Sequence, residues 1–154
     1  MTARSVGISS ILVVCTGNIC RSPLAEAVLR QQLPSCQVVS AGLDAPSGRP
    51  VHEAWLRQAE QCGLDLSVNR SQRFTPEMGL AADIVLCMEA AQCRRIIEQT
   101  RSLAGRVFLL SHWSDTQNIE DPILGTLETH SQTFAKVRRD AEAWADTLKE
   151  EVTW

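Results

Sequence analysis

Cys15, Arg21 and Ser22 stand at a spacing suited to phosphoryl chemistry, within C15-T16-G17-N18-I19-C20-R21-S22. An apolar run, Ser10 to Val14, precedes them, and Pro23 follows where the first turn of a helix would begin. A loop that leaves a strand and opens a helix aims unpaired backbone N–H groups at one point, with the positive end of the helix dipole behind them. Gly17 and Asn18 are residue types that accept positive φ, as a curled nest of amides requires. Arg21 adds a planar fork matched to two phosphate oxygens. Cys15 at the floor of such a nest is favoured as thiolate, with Ser22 donating a hydrogen bond to the sulfur. The implied chemistry is a sulfur nucleophile beneath a phosphate whose equatorial oxygens meet the donors of Thr16 to Ser22. It is not the nucleotide P-loop, which needs a lysine before the serine, so magnesium is not implied.

These residues need a scaffold that presents the end of a strand. Ser10 to Val14 reads as a strand covered on both faces, and Ser22 as the N-cap of a helix carrying Leu24, Ala27 and Val28. Gln37 to Ser40, Asp83 to Met88 and Arg106 to Leu110 read as three further strands. Val51, Trp55, Ala59 and Cys62 mark a helical face that Gly63 can end, and Cys93, Ile96 and Ile97 mark another. Phe134, Val137, Ala141, Trp144 and Leu148 form the best amphipathic stripe in the chain. Strands alternating with helices predict an α/β fold: one domain over residues 1–154, with a four-stranded parallel sheet and helices on both faces. Residues 1–8 read as a short lead. Ligands of such sheets bind beyond the carboxyl ends of the strands, and Cys15 stands at one.

The 154 residues suffice for a core without staples, and 44% hydrophobic with 21% charged residues is ordinary globular composition. A formal charge of −3 without a basic block argues against nucleic acid. The apolar run ending at Val14 is too short to span a membrane or to form a secretory core, which points to the cytoplasm. Six cysteines lie mostly inside apolar patterns, none as a CxxC pair, and the three histidines are scattered. Thiols are expected, with no metal site and no cofactor.

The stretch CTGNICRSP closely resembles the loop of the low-molecular-weight protein tyrosine phosphatases. VVSAG, GRPVHEA, ADIVLCME and the segment from Asp121-Pro122 into the last helix resemble that family in matching order, from about residue 8 onward. The resemblance implies the family's fold and a phosphotyrosine phosphatase working through phosphocysteine. It also implies that Asp121, on a loop before the last helix, is the acid. A phenolate whose conjugate acid has a pKa of about 10 leaves slowly unless it is protonated. Pro122 restricts Asp121 to extended backbone and so helps to aim it. By analogy Asn18 and Ser40 brace the cradle. The implied partner is a phosphotyrosine protein, among bacterial relatives often a tyrosine autokinase of polysaccharide export.

The chain departs from the family where aromatic residues often follow Asp-Pro, reading D121-P122-I123-L124-G125, and where LDAPSGR follows SAG. An aliphatic wall of Ile19, Leu43, Ile123 and Leu124 is expected instead. Asn69 stands where a histidine is frequent, which puts a supporting role there in doubt. Protein-arginine phosphatase, a branch of the same fold, carries threonine where this chain has Ile19. Thiol-coupled arsenate reductase would use relay cysteines near Cys87 and Cys93. A module that merely binds phosphoprotein would need neither Cys15 nor Asp121. Cys20 is a candidate to trap oxidised Cys15 as a reversible disulfide.

Overall fold

The computed structural model describes residues 7–152, so most of the lead expected over residues 1–8 lies outside the described residues. Four strands, β1 (Ser10–Cys15), β2 (Gln37–Gly42), β3 (Ile84–Cys87) and β4 (Val107–Leu109), form one parallel sheet in the order β2-β1-β3-β4. The strand order reverses between β1 and β3, so the crevice beyond their carboxyl ends opens at Cys15.

Among the described residues, five α-helices cover the sheet: α1 (Arg21–Gln32), α2 (Glu53–Gln61), α3 (Pro76–Ala81), α4 (Ala90–Gln99) and α5 (Leu127–Val152). Alternation along β1 divides the core. Ile11, Val13 and Cys15 face Leu24, Val28, Val137 and Trp144 of α1 and α5. Leu12 and Val14 face Phe74, Ile96 and Leu103 on the other side. The unbroken apolar run from Ile11 to Cys15 is therefore what a sheet buried on both faces requires.

The expected stripes on α4 and α5 fall within observed helices, as do Trp55 and Ala59 of the stripe on α2; Cys62 is the C-cap of α2, and Gly63, at φ 78°, supplies the positive-φ residue just beyond it. Val51 is buried but precedes α2, whose cap is His52. Ser22 is not the N-cap of α1: the helix starts at Arg21, Cys20 holds the cap position, and Ser22 lies inside the first turn. The helix α3 carries no periodic signal because six residues are under two turns. Met88 and Leu110 fall just past their strands, since pairing stops at Cys87 and Leu109.

Candidate active site

The cradle rests on β1 and β2, whose last residues Cys15 and Gly42 pair in register. Leu43 N–H donates to the Cys15 carbonyl at 2.9 Å and Asp44 N–H to the Thr16 carbonyl at 3.0 Å, fixing the start of the loop. Asn18 alone in the loop takes positive φ, at 58°. Gly17 does not, contrary to expectation, because the single left-handed residue at Asn18 already turns the chain toward α1.

Two donors converge on the sulfur. Asn18 N–H points at Cys15 Sγ at 3.3 Å, and Ser22 Oγ lies 3.0 Å from it. Asn18 Nδ2 donates to Ser22 Oγ at 2.8 Å, which leaves the serine hydroxyl hydrogen for the sulfur. The same Nδ2 donates to Ser40 Oγ at 3.0 Å, and Ser40 passes its own hydrogen to Glu26 Oε1. Asn18 Oδ1 accepts from Gln72 N–H at 3.0 Å. Asn18 and Ser40 thus lie in one buried hydrogen-bonded chain from Glu26 to Cys15. Burial holds the Glu26 carboxyl above the usual carboxylate range. Asn69 reaches the far end of this chain, with Nδ2 3.5 Å from Glu26 Oε1.

Arg21 is buried, and its guanidinium is set from behind. Nη1 donates to Glu89 Oε2 at 2.7 Å and to the Ile119 carbonyl at 2.6 Å. Nη2 lies 3.4 Å from Thr16 Oγ1 and 3.5 Å from Asp121 Oδ2. Gln92 completes the corner: its Nε2 donates to Thr16 Oγ1 at 3.1 Å while its Oε1 accepts the Met88 and Glu89 amides. Held at Nη1 by the Glu89 carboxylate and the Ile119 carbonyl, the buried guanidinium keeps its direction.

Asp121 Oδ1 accepts the Ile123 N–H at 3.0 Å, a two-residue turn that aims the other oxygen at Arg21. The loop is tethered where it starts, because Ile119 N–H donates to the Met88 carbonyl at 2.8 Å. Cys15 to Arg21, Asp121 and Ile123 together line one cleft of about 90 Å³. Of the four wall residues expected, Ile19 and Ile123 line it. Leu43 does not, because its side chain is buried in the core with Leu12 and Val14. Leu124 does not either, being 97% exposed on the loop tip.

Sequence reading missed Glu89, Gln92 and Gly42. Glu89 follows the buried strand β3, and a carboxylate just past a strand that flanks the nucleophile's strand was the available signal. A Cβ on Gly42 would stand 2.6 Å from the Thr16 carbonyl and 3.0 Å from Asn18 N, so the cradle fits only against a glycine. Cys20 lines the same cleft, and burial pushes its thiol up to about 12. Cys87 pairs with Val14 in register and so points to the sheet face opposite Cys15, where Cys93 packs against the same apolar cluster.

Comparison with known proteins is consistent across sequence and structure. The family described as low molecular weight phosphotyrosine protein phosphatase matches residues 10–153. EpsP of Ralstonia solanacearum, a probable low molecular weight protein-tyrosine-phosphatase, is 39% identical over 142 residues, 92% of this chain and 97% of that one. The tyrosine phosphatase Wzb of Escherichia coli K30, solved with sulphate, superposes with a TM-score of 0.87 at 35% identity, over 92% of this chain and 99% of that chain. The YwlE arginine phosphatase of Geobacillus stearothermophilus superposes at 0.86 with 31% identity, over 93% and 94% of the two chains.

Proposed function

The chain belongs to the low molecular weight phosphotyrosine protein phosphatase family, and from that premise we propose that it hydrolyses phosphotyrosine in proteins with Cys15, Arg21 and Asp121 as the working residues. Cys15 Sγ attacks phosphorus as thiolate, and the tyrosyl oxygen departs with the proton of Asp121. Phosphocysteine results. The Asp121 carboxylate then takes a proton from the water that attacks phosphorus, releasing phosphate and the thiolate. The amides of Thr16 to Ser22 and the Arg21 guanidinium meet the charge that spreads over the equatorial oxygens. Arg21 Nη2 and Asp121 Oδ2 stand 3.5 Å apart in the cleft, so the clamp and the acid meet the same phosphate.

The observation that carries this reading is one cleft lined by a doubly hydrogen-bonded thiol, a buried guanidinium and a loop carboxylate. Ile19 at its mouth suits an aromatic ring better than a guanidinium, which favours phosphotyrosine over phosphoarginine. The arsenate relay finds no support in Cys87, which faces away from Cys15. The partner is a phosphotyrosine protein, on family resemblance a tyrosine autokinase of polysaccharide export. We place the reaction in the cytoplasm, where reducing conditions keep Cys15 competent. Among the described residues, no helix is long and apolar enough to cross a membrane.

Phosphotyrosine, phosphoserine and phosphoarginine peptides offered to wild type and to Cys15→Ser test the assignment. Turnover is expected on phosphotyrosine alone and is abolished by Cys15→Ser; preference for phosphoarginine, or turnover that survives the substitution, overturns it.

A further inference from the structure

Behind the two working loops, three side chains that the chemistry does not use are joined. His52 caps α2: its Nδ1 accepts the Ala54 N–H at 3.1 Å, while its own backbone N–H donates to the Ile19 carbonyl of the cradle at 2.8 Å. His130, buried in the first turns of α5, accepts the Trp55 indole N–H at Nδ1, 2.9 Å away. The two imidazoles stack with centroids 4.6 Å apart and planes at 21°. The helix α5 begins six residues after Asp121, so the stack links the helix that follows the acid loop to the helix start that holds the cradle.

Both tautomers are fixed by their donors. An indole N–H and an amide N–H cannot accept, so each Nδ1 is unprotonated and each proton sits on Nε2. Protonating either Nδ1 evicts its donor, and for His130 that strands the indole N–H of fully buried Trp55. Charging both sets two cations face to face. The titratable groups that reach His130 are His52, from the start of α2, which opposes its charge, and Asp121, from the acid loop, which favours it. Burial is the largest influence, and the imidazole is held below the usual histidine range.

We propose that His52, Trp55 and His130 form a positioning brace that sets the nucleophile loop against the acid loop and releases when His130 is protonated. The sign follows from the depressed value of His130: the brace is complete above an unfolded histidine value of about 6.5 and is lost as pH falls through the lower folded value. Its kinetic arm rests on the phosphatase reading.

The test follows the Trp55 indole N–H by NMR in the full chain, identified by its loss in Trp55→Phe, from pH 8 to pH 5, beside kcat on an aryl phosphate. The indole resonance should lose its hydrogen-bonded shift in step with kcat. His130→Gln offers the same indole a side-chain carbonyl that does not titrate, and should raise the ratio of kcat at pH 5 to kcat at pH 7.5 by about threefold over wild type. His130→Phe, with no acceptor, should lower kcat at every pH while KM moves less. The substrate is common to all the proteins, so its own titration cancels in that ratio. An indole resonance unchanged across the range, or a His130→Gln profile superimposed on wild type, overturns the brace. Absence of hydrolysis by wild type would sink the phosphatase reading instead, and the indole titration would still decide the brace.

Discussion

Asp121 divides its carboxylate between two tasks, one oxygen closing its own turn onto Ile123 N–H and the other facing Arg21 across the cleft. A proton donor so placed matters most for a poor leaving group. Asp121→Ala should lower turnover of an alkyl-substituted phenyl phosphate by about 10²–10⁴-fold, and that of p-nitrophenyl phosphate far less, as steady-state kinetics on both substrates will show. Equal losses would remove the acid from Asp121. At Cys20, burial keeps the thiol protonated, yet it shares the cleft with Cys15. Peroxide converts a Cys15 thiolate to the sulfenic acid, and condensation with the Cys20 thiol forms a disulfide and releases water. Mass spectrometry of peroxide-treated protein should find the Cys15–Cys20 link, and dithiothreitol should restore activity in wild type but not in Cys20→Ala. The wall is thinner than the sequence suggests: with Leu43 in the core and Leu124 in solvent, Ile19 and Ile123 are the two expected wall residues that line the cleft. Aliphatic contact forgoes an aromatic pairing of roughly 0.5–1.5 kcal/mol, so discrimination between phenyl and alkyl phosphates should be modest.

At the scale of elements, the site is a junction of strand ends. β1 delivers Cys15, β2 delivers Ser40 and Gly42, the turn after β3 delivers Glu89, and the first turn of α4 delivers Gln92. Gly42 is the closest fit among them. Gly42→Ala would drive a methyl into the backbone of Thr16 and Asn18, and a cradle displaced by about 1 Å should lose roughly 10²-fold in kcat/KM. Phosphate binding measured by calorimetry should weaken in parallel, and unaltered kinetics would show that the loop adapts. Strand and helix identities were readable here because apolar runs and stripes have different periods. The helix α3 and the role of Ser22 were not: one is too short for a period, and the other depends on where the first turn of α1 begins.

Over the whole molecule, α5 is the long cover of one sheet face. Its Trp144 packs against Phe108, His112 and Trp113 with centroids 5.5–5.8 Å apart, and its indole N–H donates to the Leu109 carbonyl at 3.2 Å. Trp144→Ala should cost about 3–5 kcal/mol in urea unfolding while the catalytic groups stay in place, so kcat on folded protein should change little. A loss below about 1 kcal/mol would mean that this end of α5 is loosely held. The same helix carries His130, so covering the core and aligning the acid loop fall to one element.

Cys15 and Arg21 as candidate working residues, and the parallel α/β scaffold, were legible in the order of residues, because a strand, a nest-forming loop and a helix start are local events governed by residue type; Asp121 was indicated by the resemblance to the family. Glu89 behind Arg21, Gly42 beneath the cradle, the burial of Leu43 and the stacked histidines were decided by the fold alone. Each depends on which distant segments the crossovers bring together, and a one-dimensional period carries no record of that distance.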